Sequence, residues 1–115
     1  MTISRQLLSG STNGQGIKVA ATATPGTLIH TAHATSLDEV WLWCVNSSSS
    51  PVKLTVQFGG TTDPDDSIEA TITGESGLFL IVPGLVLSNS KVVRAFAATA
   101  NVLAVHGYVN RLVSS

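Results

Sequence analysis

The chain has 115 residues, 43% apolar and only 11% charged, with six basic and seven acidic groups and a formal net charge of −1. That is enough apolar material for one core and too much for a disordered chain, and the charge balance provides neither a nucleic-acid footprint nor a cationic membrane stripe. Serine and threonine number 27 and Val and Ile are abundant, a mix that favours strands and turns over helices.

In chain order, residues 1–16 carry Ile3, Leu7 and Leu8 and then a stretch, 9–16, with three glycines and no apolar side chain. Its composition predicts a flexible arm ahead of a single domain spanning 17–115. The start lacks the apolar stretch of a signal peptide, so a soluble product made in the cytosol is expected. Apolar runs at 17–22 and 26–33 are separated by the turn pair Pro25-Gly26. Residues 38–46 read as a strand apolar on both faces, with Val40, Leu42 and Cys44 on one side and Trp41, Trp43 and Val45 on the other. Residues 52–58 alternate cleanly: Val52, Leu54, Val56 and Phe58 inward, Lys53, Thr55 and Gln57 outward.

After a loop of turn formers at 59–66, residues 67–73 alternate again, and 74–77 have the length of a hairpin connection. Residues 78–82 form a second two-faced strand, stopped by Pro83-Gly84, with a short strand after it. This run is about half of what a bilayer span requires. Residues 91–99 and 102–110, separated by Ala100-Asn101, read as a closing hairpin. Seven to nine short strands at this spacing predict an all-β, single-domain antiparallel β-sandwich, jelly-roll-like.

Few residues offer chemistry. Asp63, Asp65 and Asp66 share a loop and are a calcium candidate, although Asp-Pro-Asp-Asp is also the composition of an ordinary solvated turn, which is the favoured reading. His30 and His33 are three apart and face opposite sides of a strand. Cys44 sits in an apolar strand, where a thiol is inert, and being a single cysteine it excludes an internal disulfide. No Gly-x-Ser-x-Gly elbow and no phosphate loop is present. The expectation is therefore no enzyme activity, no cofactor, no metal and no small-molecule substrate. The surplus apolar faces predict an interface instead, at Trp41, Trp43, Phe79 and Ile81, with Ile3, Leu7 and Leu8 of the arm.

Four stretches taken together carry a resemblance: 39–43 (Glu-Val-Trp-Leu-Trp), 52–66, 83–90 and 92–101, ending in His106-Gly-Tyr-Val-Asn-Arg111. Over roughly residues 36–112 the chain resembles small virion structural proteins of tailed bacteriophages, most of all head decoration (cement) proteins. The resemblance brings no catalytic residues. It implies a subunit, expected as a homotrimer, that binds the major capsid protein on the surface of the phage head after synthesis in the host cytoplasm. A head–tail connector or tail subunit, and a carbohydrate- or receptor-binding module using Trp41, Trp43 or the Asp63–Asp66 loop with calcium, are the alternatives.

Overall fold

The structure, a computed structural model, describes residues 2–113; Met1, Ser114 and Ser115, included in the expected boundaries, lie outside them. The described residues contain no helix. Nine strands follow one another: β1 (Thr2–Leu7), β2 (Ile17–Lys18), β3 (Thr27–Thr31), β4 (Leu37–Asn46), β5 (Val52–Phe58), β6 (Ser67–Ile72), β7 (Phe79–Leu87), β8 (Val92–Ala97) and β9 (Leu103–Val113). They make two antiparallel sheets. The first is ordered β1-β9-β4-β7, with β2 also on β9, and the second β3-β8-β5-β6.

The pairing is that of one long hairpin rolled up. Rungs β2·β9, β3·β8, β4·β7 and β5·β6 run from its open end to its tip, and rolling lays β4 on β9 and β5 on β8. This is the jelly-roll order, and the β-sandwich expected from composition is what forms. Alternation supplies the core. Val40, Leu42 and Cys44 of β4 face Val52, Leu54 and Val56 of β5, with Ile29, Val82, Val93, Val105 and Val109 closing around them, all at most 5% exposed.

Several local readings differ from this architecture. Residues 91–99 and 102–110 are not a hairpin: β8 and β9 belong to different sheets, as do β6 and β7 on either side of 74–77. A short loop serves a sheet-to-sheet crossing as readily as a hairpin. Pro83 does not end its strand either. β7 runs through it on a sheet edge, where a missing N–H leaves no ladder bond broken, and the register shifts twice nearby.

The N-terminal segment departs most from its expected form. Residues 2–7 are β1, paired over six residues with Tyr108–Val113, while β2 pairs farther along the same side of β9. Thus β1 and β2 are two halves of one edge strand, interrupted by an excursion at 8–16. The glycines lie in that excursion, which is tied down. Leu8 is 2% exposed, inside the core. Gly10 N–H donates to Ile29 O and Thr31 N–H to Ser9 Oγ, linking the first sheet to the edge of the second.

Candidate functional site

Residues opposed across antiparallel strands share a face, so the register places side chains that are far apart in sequence on the outer side of the first sheet. One row runs Leu7, Tyr108, Trp41, Pro83; the next runs Arg5, Asn110, Glu39, Val86; a third runs His106, Trp43, Leu80. Ile3 is 67% exposed, Leu7 57%, Val86 50% and Leu80 42%. The outer side of the second sheet is different in kind. There Lys53, Thr55, Gln57 and Arg94 lie on the outer side beside Phe96, although Thr55 and Gln57, expected to be outward, are buried at 5% exposure, and Lys53 pairs with Glu69 at 3.2 Å. One face of the sandwich is apolar and the other is polar.

The aromatic rings of the apolar face stand on edge against one another. Trp41 and Trp43 stack with centroids 6.1 Å apart and planes 20° from parallel, and Tyr108 lies 6.0 Å from Trp43. The Arg5 guanidinium covers Tyr108 at 4.6 Å. Gly84, at φ +81°, sits against the Trp41 indole, where an added Cβ would come within 2.9 Å of the ring. Each ring therefore spends a face on a neighbour.

Polar groups rim this cluster. Trp41 Nε1 donates to Glu39 Oε1 at 2.8 Å, Asn110 Nδ2 donates to the same oxygen at 3.1 Å, and Arg5 Nε donates to Asn110 Oδ1 at 3.2 Å. The hydrogen bonds from Trp41 and Asn110 hold the Glu39 carboxyl below its ordinary range.

A second constellation lies inside the sandwich. Asp38 accepts from His30 Nε2 at 2.7 Å and from Arg111 Nε and Nη2 at 2.8 and 3.1 Å. Burial alone would raise the Asp38 carboxyl; the hydrogen bonds from Arg111 and His30, with the charge of Arg111, lower it. Ser9 N–H donates to His30 Nδ1 at 3.0 Å, which fixes the neutral ring with its proton on Nε2. An Asp-His-Ser series invites comparison with a hydrolase triad, but the chemistry is absent. His30 is 1% exposed with both nitrogens engaged, and the Ser9 hydroxyl accepts from Thr31 N–H instead of meeting the imidazole. The cluster braces the excursion against both sheets.

The remaining sequence candidates do not converge. Asp66 Oδ2 accepts from Thr62 N–H and so closes its own loop. Among the described residues no three His, Cys, Asp or Glu groups are arranged to hold a metal ion. His33 binds the backbone of Thr35 and Ser36, and His106 lies against Gly16. Cys44 is buried, and burial pushes its thiol up to about 12. On the second sheet a hollow of about 220 Å³ is lined by Gln57, Lys91 and Arg94 without a carboxylate or histidine, and Gln57 Oε1 is buried without a partner.

Of the expected interface residues, Trp41, Trp43, Ile3 and Leu7 share the apolar face, and Phe79, 48% exposed, lies at the end of β7. Ile81 is partly buried against the core, and Leu8 lies wholly within it, so Leu8 is not available for contact. Tyr108, Arg5 and Asn110 escaped the sequence reading because only the β1–β9–β4 register brings them to the tryptophans, whereas Glu39, two residues before Trp41 on β4, shares their face by alternation alone. Comparison with family models, with curated proteins and with solved structures found no match.

Proposed function

We propose that this chain is a non-enzymatic structural subunit of a tailed-phage virion, a head decoration protein that binds the assembled shell of the major capsid protein. The observation that carries the reading is the apolar outer face of the first sheet. A monomer gains nothing by exposing Ile3, Leu7, Leu80 and Val86 around a tryptophan pair, whereas a partner that covers them removes that area from water at about 25 cal/mol per Å². Aromatic anchors at the centre with a rim of Arg5, Glu39 and Asn110 is the arrangement of a protein interface. The resemblance over residues 36–112 supplies the virion context, and the jelly roll is a fold common among capsid proteins, which is support by analogy only.

Binding to the shell alone stabilises the assembled state by mass action. The test is cosedimentation of the full chain with assembled heads of the cognate phage and, separately, with unassembled capsid subunits. Pelleting with heads and not with subunits supports the reading, as does its loss in Trp43→Ser. Binding to tails alone places the subunit elsewhere in the particle. Retention on a glycan surface with no binding to heads overturns the proposal in favour of a carbohydrate-binding module.

A further inference from the structure

We propose that the hollow on the outer side of the second sheet binds a carboxylate whose α-carbon bears an N–H or O–H donor. That is the chemistry of a peptide's C-terminal residue and of a free 2-hydroxy acid. The hollow lies on the opposite side of the sandwich from the tryptophans, so the inference stands apart from the shell-binding reading.

The hollow sits between the end of β5 and the start of β8. At about 220 Å³ it falls below the roughly 300–1,000 Å³ of sites for drug-sized ligands and suits a group of a few heavy atoms. Two of its lining residues, Gln57 and Arg94, are directly opposed across β5 and β8, so their side chains share one face with Cβ atoms about 4.5–5.5 Å apart. Each gives one end to the connection between β2 and β3. Gln57 Nε2 donates to Thr24 Oγ1 at 3.0 Å, and Arg94 Nη1 donates to Gly26 O at 3.1 Å. Each keeps its other end free. Gln57 is 5% exposed, and its Oε1 meets no donor among the described residues, which is uncommon for a buried acceptor. Arg94 makes no second hydrogen bond among the described residues, so its Nε–Nη2 edge, which can grip two oxygens at once, stays open. An acceptor and a donor fork thus stand side by side, each already held in place by the protein.

Charge selects the ligand. Of the six basic side chains, Lys53 and Arg111 are paired with Glu69 and Asp38, and Arg5 covers Tyr108. Lys91 and Arg94 line one hollow with no carboxylate in its wall. Asp66 Oδ2 stands where a Cβ on Gly60, another lining residue, would fall, and it offsets part of that charge. One negative charge therefore suits the site better than two. A phosphate monoester brings nearly two at neutral pH, about 1.5 to 2, and only acceptors, which leaves Gln57 Oε1 unmet. A carboxylate takes the Arg94 edge with both oxygens, and the N–H or O–H beside it supplies the donor that Gln57 lacks.

Titration of the isotope-labelled full chain, followed by nuclear magnetic resonance, tests the site with four matched probes. N-acetylglycine and glycolate each carry a carboxylate and a donor; either should shift the Gln57 side-chain amide, the Gly60 N–H and the Arg94 Nε–H together. A response to N-acetylglycine alone assigns the site to peptide C-termini, and one to glycolate alone assigns it to small hydroxy acids. Acetate, without the donor, and N-acetylglycinamide, without the carboxylate, should each bind about tenfold more weakly. Lys91→Gln, at an exposed position, should weaken binding about threefold with an unchanged melting temperature. Arg94→Lys, which keeps the charge and loses the fork, should weaken it about tenfold. No response to either acid, acetate binding as well as glycolate, or inorganic phosphate reproducing the shifts at equal concentration overturns the proposal. Pelleting with heads reads the other sheet, so the two readings fail separately.

Discussion

At the scale of single residues, the most consequential group is Asp38, fully buried yet ionised between Arg111 and His30. Asp38→Asn removes the charge that Arg111 faces, sets an NH2 group against donors of Arg111 or His30, and should cost about 3 kcal/mol, measured by urea unfolding at neutral pH. The pH dependence has a defined sign. A carboxyl held below its usual 3.8 contributes fully above that value, and its contribution is lost as the pH falls through the lower folded-state value. Unfolding curves from pH 6 downward should therefore show an acid limb that flattens in Asp38→Asn; an unchanged limb would assign it to other carboxylates. Gly107 marks a second sensitive point. A Cβ there collides with the Trp41 carbonyl oxygen, an unyielding backbone contact at the centre of the sheet. Gly107→Ala should separate β9 from β4 and give insoluble or poorly folded protein, whereas Gly77→Ala, which meets open space and costs only about 1–2 kcal/mol of backbone strain at φ +80°, should remain soluble. Neither site was legible in the sequence. The partners of Asp38 lie 8 and 73 positions away, and only a register reveals them.

At the scale of elements, alternation was the legible signal. β5 declares its core-facing row in the sequence because Val52, Leu54 and Val56 recur at period two, whereas β4, apolar at every position from Val40 to Val45, leaves open which face meets the core. Sheet membership was not legible, since the loop between β6 and β7 has the same length whether its strands pair or part. The glycines of 9–16 mark the excursion correctly as a loop, but composition has no means of showing that residues on both sides of it are held by the same strand. This makes the N-terminal half of the edge a structural part. Leu8→Ala should destabilise the fold by about 3 kcal/mol through the cavity it leaves. Thermal unfolding should place it well below Leu7→Ala, which truncates a side chain already 57% in water. Equal melting temperatures for the two would mean that Leu8 is not part of the working core.

At the scale of the whole molecule, the division between an apolar and a polar sheet face sets behaviour in solution. Trp41→Ser with Trp43→Ser should lower stability by several kcal/mol, about 1 kcal/mol for the aromatic pair and the rest for the half-buried ring area, while leaving folded protein and sharply reducing the binding of a hydrophobic dye. A full loss of folded protein would instead make those rings part of the core. The two tryptophans were legible as surplus; most of the company they keep was not, because Arg5, Asn110 and Tyr108 reach them only through pairings that span most of the chain. The same long-range pairing orders events during synthesis. β3, β5, β6 and β8 have all left the ribosome once Ala97 has emerged, so the second sheet can close early. β9 fills the gap between β1 and β4, and it emerges last. Until then the ribosome carries a half-built sandwich whose richest apolar strand has one bare flank. The nascent chain is thus most exposed to aggregation just before its final strand appears, and most in need of a chaperone then.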